Sequence, residues 1–150
     1  TLAAMLDTLR DRLLLLRPQA SLSVHVHPTV AARTVQPSLA LWGSLGHLLE
    51  NAADAGIAAG DAQLALRAEP GPGDGLRIVV HDRGAGFDSR AARPLADETS
   101  GGLGIGLAIA NATIEHLGGA LHVHPAEGGG SLSRLDLPWR ALDPALGASR

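Results

Sequence analysis

The 150-residue sequence contains no cysteine, which excludes disulfides, thiolate metal sites and thiol redox chemistry from it. It has no tyrosine, and its aromatics are only Phe87, Trp42 and Trp139. Any core must therefore be aliphatic. All twelve side chains in the Lys plus Arg total are arginine, a compositional bias that removes lysine-based catalysis. The formal net charge of −3 comes without a basic stripe, which argues against a nucleic-acid partner. The longest apolar cluster, Leu13 to Leu16, is far too short to span a bilayer. No signal-peptide pattern is present, and a chain starting at Thr1 is expected to be a piece of a longer protein.

What is present suits one folded domain, because 45% hydrophobic against 18% charged residues is incompatible with wholesale disorder. Leu2, Met5, Leu6, Leu9, Leu13 and Leu16 recur at three- and four-residue steps and predict a helix over 2–17, ended by Pro18. Alternation of Leu22, Val24 and Val26 with polar residues predicts a strand, followed by a loop over 28–36. A second helix is expected from Pro37-Ser38 to about Ala59, with Leu41, Leu45, Leu48 and Ala52 buried. Strands at 63–68 and 76–81 flank the turn-rich 69–75, and strands at 121–124 and 132–137 flank Gly128-Gly129-Gly130. Residues 88–100 read as a mobile loop, and the tail from Arg140 as loosely ordered. The hairpin-like joins favour a mixed or antiparallel sheet with helices on one face, a two-layer α/β sandwich.

Three stretches carry chemistry. The first is Gly101 to Leu107, a glycine-rich run opening an apolar helix from Ala108 to Leu117. Glycines let the backbone approach a ligand closely, and a helix start offers free N–H groups and the positive dipole end. That is a phosphate site in physical terms. The second is His47 to Ala55, where helical spacing puts His47, Asn51 and Asp54 on one face. The carbonyl oxygen of a mid-helix asparagine is a suitable hard ligand for Mg²⁺. The third is Asp82-Arg83-Gly84-Ala85-Gly86 at a strand end, where a carboxylate can accept from an exocyclic amine while glycines let a flat ring slide past backbone.

In this order and spacing the three resemble the N, G1 and G2 boxes of the GHKL (Bergerat) ATP-binding superfamily, and within it the catalytic domain of a bacterial sensor histidine kinase. The strings Leu14–Pro18, Leu45–Ala55 and Gly102–Gly119 are similar to those of RegB/PrrB-type kinases. The resemblance covers roughly residues 10 to 138 and implies a mixed sheet of about five strands over about three helices. It implies ATP and Mg²⁺ as ligands, with Asn51 as the Mg²⁺-binding asparagine and Asp82 as the adenine-binding aspartate. Gly84 and Gly86 match G1; Gly102, Gly104 and Gly106, with Leu103 and Leu107 among them, match G2. Ser131 stands where the family often has a threonine near the aspartate.

The resemblance further implies residues 18–140 as the ATP-binding domain and 141–150 as a tail. Residues 1–17 would be its first helix or a link from a dimerisation domain. Partners would be that domain, carrying the acceptor histidine, and a response regulator receiver. The parent would be a homodimer, with this part cytoplasmic beneath a membrane-anchored sensor.

Departures from the pattern are specific. His47 stands where water-activating GHKL ATPases carry a glutamate base, which fits transfer to a histidine rather than to water. His47 is the candidate second catalytic residue, for phosphate contact or proton transfer. The lid is reduced to Pro94 to Ser100, without its phenylalanine or lysine, and Arg83, Arg90 and Arg93 lie near it. None of the seven histidines begins a His-Glu-x-x acceptor motif. The pairs His25/His27 and His122/His124 could chelate zinc, but solvent-facing histidines are the simpler reading. The alternatives to a histidine kinase are a non-catalytic nucleotide-sensing module and a GHKL serine kinase or ATPase.

Overall fold

A computed structural model describes residues 1–86 and 104–146. Three long helices, α1 (Leu2–Leu16), α3 (Leu39–Ala59) and α4 (Gly104–His116), accompany five strands: β1 (Ser21–Val26), β2 (Gln63–Gly71), β3 (Gly75–Asp82), β4 (Ala120–Pro125) and β5 (Ser131–Leu137). Among the described residues there are also two short α-helices, α2 (Pro28–Ala31) and α5 (Trp139–Leu142), and two 3₁₀ turns, Pro72–Asp74 and Pro144–Leu146. The sheet order is β1-β2-β3-β5-β4. β1 and β2 are parallel and the other pairs antiparallel, so the sheet is mixed.

Local chemistry explains the boundaries. Thr1 caps α1 by accepting the Ala4 N–H at 3.3 Å, and Ser38 caps α3 by accepting that of Leu41 at 3.2 Å. α3 stops at Gly60, which takes the left-handed conformation (φ 81°) that terminates helices at least cost. α1 turns Leu2, Met5, Leu6, Leu9 and Leu13 inward, α3 contributes Leu41, Leu45, Leu48 and Leu49, and α4 adds Ile114. Against them lie Leu64, Leu66, Leu76, Ile78, Val80, Leu135 and Leu137 of the central strands. The core is aliphatic apart from Trp139, which is buried in it.

Two expectations need correcting. The stretch 28–36, expected as loop, contains α2, capped by His27 Nδ1 accepting the Thr29 N–H at 3.3 Å. Residues 140–142, expected to begin a loose tail, lie in α5 with Ala141 and Leu142 buried. Arg33 stacks 3.9 Å from the Trp139 ring centroid and ties this end to the α2 region. His25 lies on β1, with His27 just past its end, and His122 and His124 lie on β4, at the opposite edge of the sheet. No cluster of three or more metal-ligating side chains occurs among the described residues, and none of their helices is long and apolar enough to cross a membrane.

On the other sheet face Arg77 grips Asp136 through Nε and Nη2, at 2.7 and 3.0 Å. Hydrogen bonding from Arg77 holds the Asp136 carboxyl below its ordinary value of 3.8. A carboxylate whose folded pKa is depressed stabilises the fold above its unfolded pKa, and that stability is lost as pH falls through the folded value. Asp136→Asn should therefore lower the thermal midpoint at pH 7. The deficit against the parent should shrink as the pH of the melts is taken below 3.8.

Candidate functional site

β3 ends at Asp82 on the helix-facing side of the sheet, because Val80 and Ile78, two and four residues before it, point into the core. Asp82 is only 6% exposed. A carboxylate so buried needs donors, and it has two. Its Oδ1 accepts the N–H of Gly84 at 2.9 Å and that of Ser131 at 3.3 Å. The first bond closes a turn after the strand; the second ties β3 to the start of β5, where Asp82 and Ser131 are register partners. Ser131 thus meets Asp82 through its backbone, and its hydroxyl is not needed for the contact. Among the described residues nothing bonds Asp82 Oδ2, which remains free to accept from a ligand amine.

The turn packs directly on α3. A Cβ added at Gly84 would lie 2.8 Å from the Ala55 Cβ and 3.1 Å from the Ala55 carbonyl oxygen. Only glycine admits that approach. Gly130, with φ of 81°, abuts the Asp82 carbonyl so closely that a Cβ there would overlap it. Gly86 approaches the same element, its Cβ position 3.6 Å from the Gly130 oxygen. Gly130, read from sequence as part of a plain turn at 128–130, therefore packs on the Asp82 backbone, while Gly128 and Gly129 face open space. Three consecutive glycines were the available signal.

Asn51 lies on α3 one turn before Ala55, fixed by buried Leu48, Leu49, Ala52 and Ala53 around it. Neither end of its amide bonds a described residue, and its Nδ2 is buried without a partner. A buried amide with no partner is costly and marks a place for a ligand. No hydrogen bond fixes which end is oxygen, so the carbonyl can turn toward a hard cation. His47, one turn earlier, is exposed; its Nδ1 lies 3.9 Å from a Cβ position at Gly106. The first turn of α4 thus lies beside α3.

α4 begins at Gly104, four residues before the expected Ala108. Gly104, Gly106 and Leu107 therefore form the helix start itself, where N–H groups are unpaired, and no loop separates them from it. Leu107 packs against the core and anchors this turn. Gly102 and Leu103 lie outside the described residues, as do Phe87, Arg90, Arg93 and the lid segment.

Asp54 was grouped with His47 and Asn51 by spacing, but it is held from the side by α1. Arg17 Nε and Nη2 donate to its two oxygens at 2.6 and 3.2 Å, and Glu50 lies 3.8 Å from the same guanidinium. Nothing in the sequence signalled this partner. Arg83 turns toward Asp61 at 3.7 Å. The structure thus sets Gly84, in the turn after Asp82, against Ala55 of α3, one turn on from Asn51, joins Gly130 and Ser131 to Asp82, and places Gly106 of the α4 start beside His47. It offers a free carboxylate oxygen, an unpartnered amide and a helix N-terminus.

A family model described as histidine kinase-, DNA gyrase B-, and HSP90-like ATPase matches residues 39–141. Among solved structures, a mycobacterial sensor histidine kinase MprB is similar at 22% identity and TM-score 0.72, covering 90% of this chain and 92% of that one. A blue-light activated histidine kinase from Erythrobacter litoralis EL346 is similar at 24% identity and TM-score 0.65; the match covers 96% of this chain but only 43% of that one. The histidine kinase domain of that protein gives 23% identity and TM-score 0.62, covering 94% of this chain and 66% of the other. No curated protein matches by sequence.

If Gly130 is a close-approach position, Gly130→Ala should destabilise the chain by more than the roughly 1–3 kcal/mol of a strained φ alone. Gly128→Ala, also at positive φ (82°) but in open space, should cost only the roughly 1–2 kcal/mol of the left-handed conformation. Chemical denaturation of the two variants side by side checks the difference.

Proposed function

Because the chain belongs to the family of histidine kinase-, DNA gyrase B-, and HSP90-like ATPases, whose members bind ATP, we propose that it is the catalytic domain of a two-component sensor histidine kinase. In this reading it binds Mg²⁺-ATP and transfers the γ-phosphoryl group to a histidine of a separate dimerisation domain. The observation that carries the reading is Asp82, buried at a strand end with Oδ1 spent on two N–H groups and Oδ2 unbonded among the described residues. An adenine amine is the ligand group that such an acceptor, walled by glycine backbone, fits best. The similarity to solved sensor histidine kinases supports the kinase assignment.

The chemistry asks little of the protein beyond position and charge. A nitrogen of the acceptor imidazole attacks the γ-phosphorus, a P–N bond forms, and the bond to the β,γ-bridging oxygen breaks with its electron pair leaving on ADP. Asp82 orients the base, and the N–H groups at the start of α4 face the phosphates and stabilise their charge. The Asn51 carbonyl would hold Mg²⁺, which neutralises charge on the phosphates when bound. His47 stands beside the α4 start, where an imidazole can contact phosphate, and it occupies the position at which water-activating relatives carry a glutamate. That favours phosphoryl transfer over the ATPase and serine-kinase alternatives. The product phosphohistidine would pass its phosphoryl group to a response regulator receiver, with this domain on the cytoplasmic side where ATP is available.

Titration calorimetry with a non-hydrolysable ATP analogue tests the reading. Asp82→Asn keeps Oδ1 for Gly84 and Ser131 but replaces the free acceptor by an NH₂ donor. Binding should weaken at least about ten-fold while the thermal midpoint barely moves. Unchanged affinity would sink the adenine assignment. Asn51→Ala should weaken binding about ten-fold with Mg²⁺ present and far less in excess EDTA; equal losses in the two conditions would contradict a role toward the cation.

A further inference from the structure

Two carboxylates on α3 lie near Asn51, Asp54 on its own face and Glu50 about 100° round the helix. Asp54 is three residues on and Glu50 one residue back, and i,i+3 neighbours on a helix lie about 5–6 Å apart at Cβ. Left free, both would repel the phosphates of a nucleotide bound at Asn51. Neither is free. Arg17, the residue that ends α1, reaches across with Nε 2.6 Å from Asp54 Oδ1 and Nη2 3.2 Å from Oδ2. Its Nη2 is also 3.8 Å from Glu50 Oε2, and Nη1 donates to the Leu16 carbonyl at 3.1 Å. The planar fork of the guanidinium is thus divided between the α1 terminus and the two acids near Asn51. No other cation pairs with Asp54 or Glu50 among the described residues.

We propose that Arg17 is a positioning residue of the nucleotide site: it neutralises Asp54 and Glu50 and turns them toward α1, so that the phosphates meet Asn51 without like-charge repulsion. The proposal rests on the nucleotide-binding reading above. It makes α1, which touches no candidate ligand group, an electrostatic part of the pocket. Local charge sets the consequence, because the penalty for freeing the acids grows with the number of phosphates.

The test is calorimetric binding of the non-hydrolysable ATP analogue, ADP and adenosine to the parent chain and its variants at low salt. Arg17→Gln should weaken the ATP analogue about three- to ten-fold, the size expected for one or two unmasked charges near a water-exposed site. ADP should weaken less and adenosine hardly at all. Arg17→Lys should retain most of the parent affinity, and the double variant Arg17→Gln with Asp54→Asn should recover most of the loss. Three results would overturn the proposal: unchanged affinity in Arg17→Gln, equal losses for all three ligands, or no recovery in the double variant. The second would mean that Arg17 only holds the helices together; the third would mean that it contacts phosphate itself. A parent chain that binds none of the ligands overturns the underlying reading, and this proposal with it. Normal parent binding with no graded loss overturns this proposal alone.

Discussion

The buried carboxylate of Asp82 is the constraint from which the site follows. A carboxylate 6% exposed stays in place only if its oxygens are answered by donors. Here one oxygen takes two backbone N–H groups, from Gly84 and Ser131. Those bonds fix the turn after β3, fix where β5 starts, and leave the second oxygen pointing at whatever enters. The position of the site at a strand end is thus a consequence of one side chain's need for partners.

Glycine backbone does the remaining assembly. At Gly84 the turn lies on Ala55 of α3, and at Gly130 the β4–β5 turn lies on the Asp82 carbonyl. At Gly106 α4 comes beside His47. At Gly84 and Gly130 the main chain meets its neighbour at a distance that a side chain would prevent. Asn51 is held between them on a helix locked by four buried neighbours, so its unpartnered amide sits on a rigid element. Arg17 adds the charge balance, taking up the acidic residues on either side of it.

Much of this was legible in the sequence. The apolar stripes of α1 and α3, the alternation in the strands and the three glycine- and acid-bearing stretches predicted a two-layer α/β sandwich, and the structure has that form. What escaped reading has physical reasons. α4 begins inside the glycine run because helix starts tolerate glycine where packing of Leu107 and His47 holds the turn; propensity alone places the start later. α2 depends on a histidine cap, an uncommon choice, and α5 is held by burial of Leu142 and Trp139 rather than by any local pattern. The role of Gly130 and the Arg17–Asp54 pair are contacts between residues 48 and 37 positions apart, and periodicity carries no information at that range. The sequence could name Asp54 as a neighbour of Asn51 but could not say what holds it.

The central claim is that Asp82 Oδ2 is the acceptor for an adenine amine. A crystal structure of the chain soaked with a non-hydrolysable Mg²⁺-ATP analogue measures this directly. The account predicts the exocyclic amine at about 2.7–3.2 Å from Oδ2, with the phosphates running toward Asn51 and the start of α4. A base bound elsewhere, or one presenting only its ring edge to solvent while Asp82 remains unbonded, would contradict it.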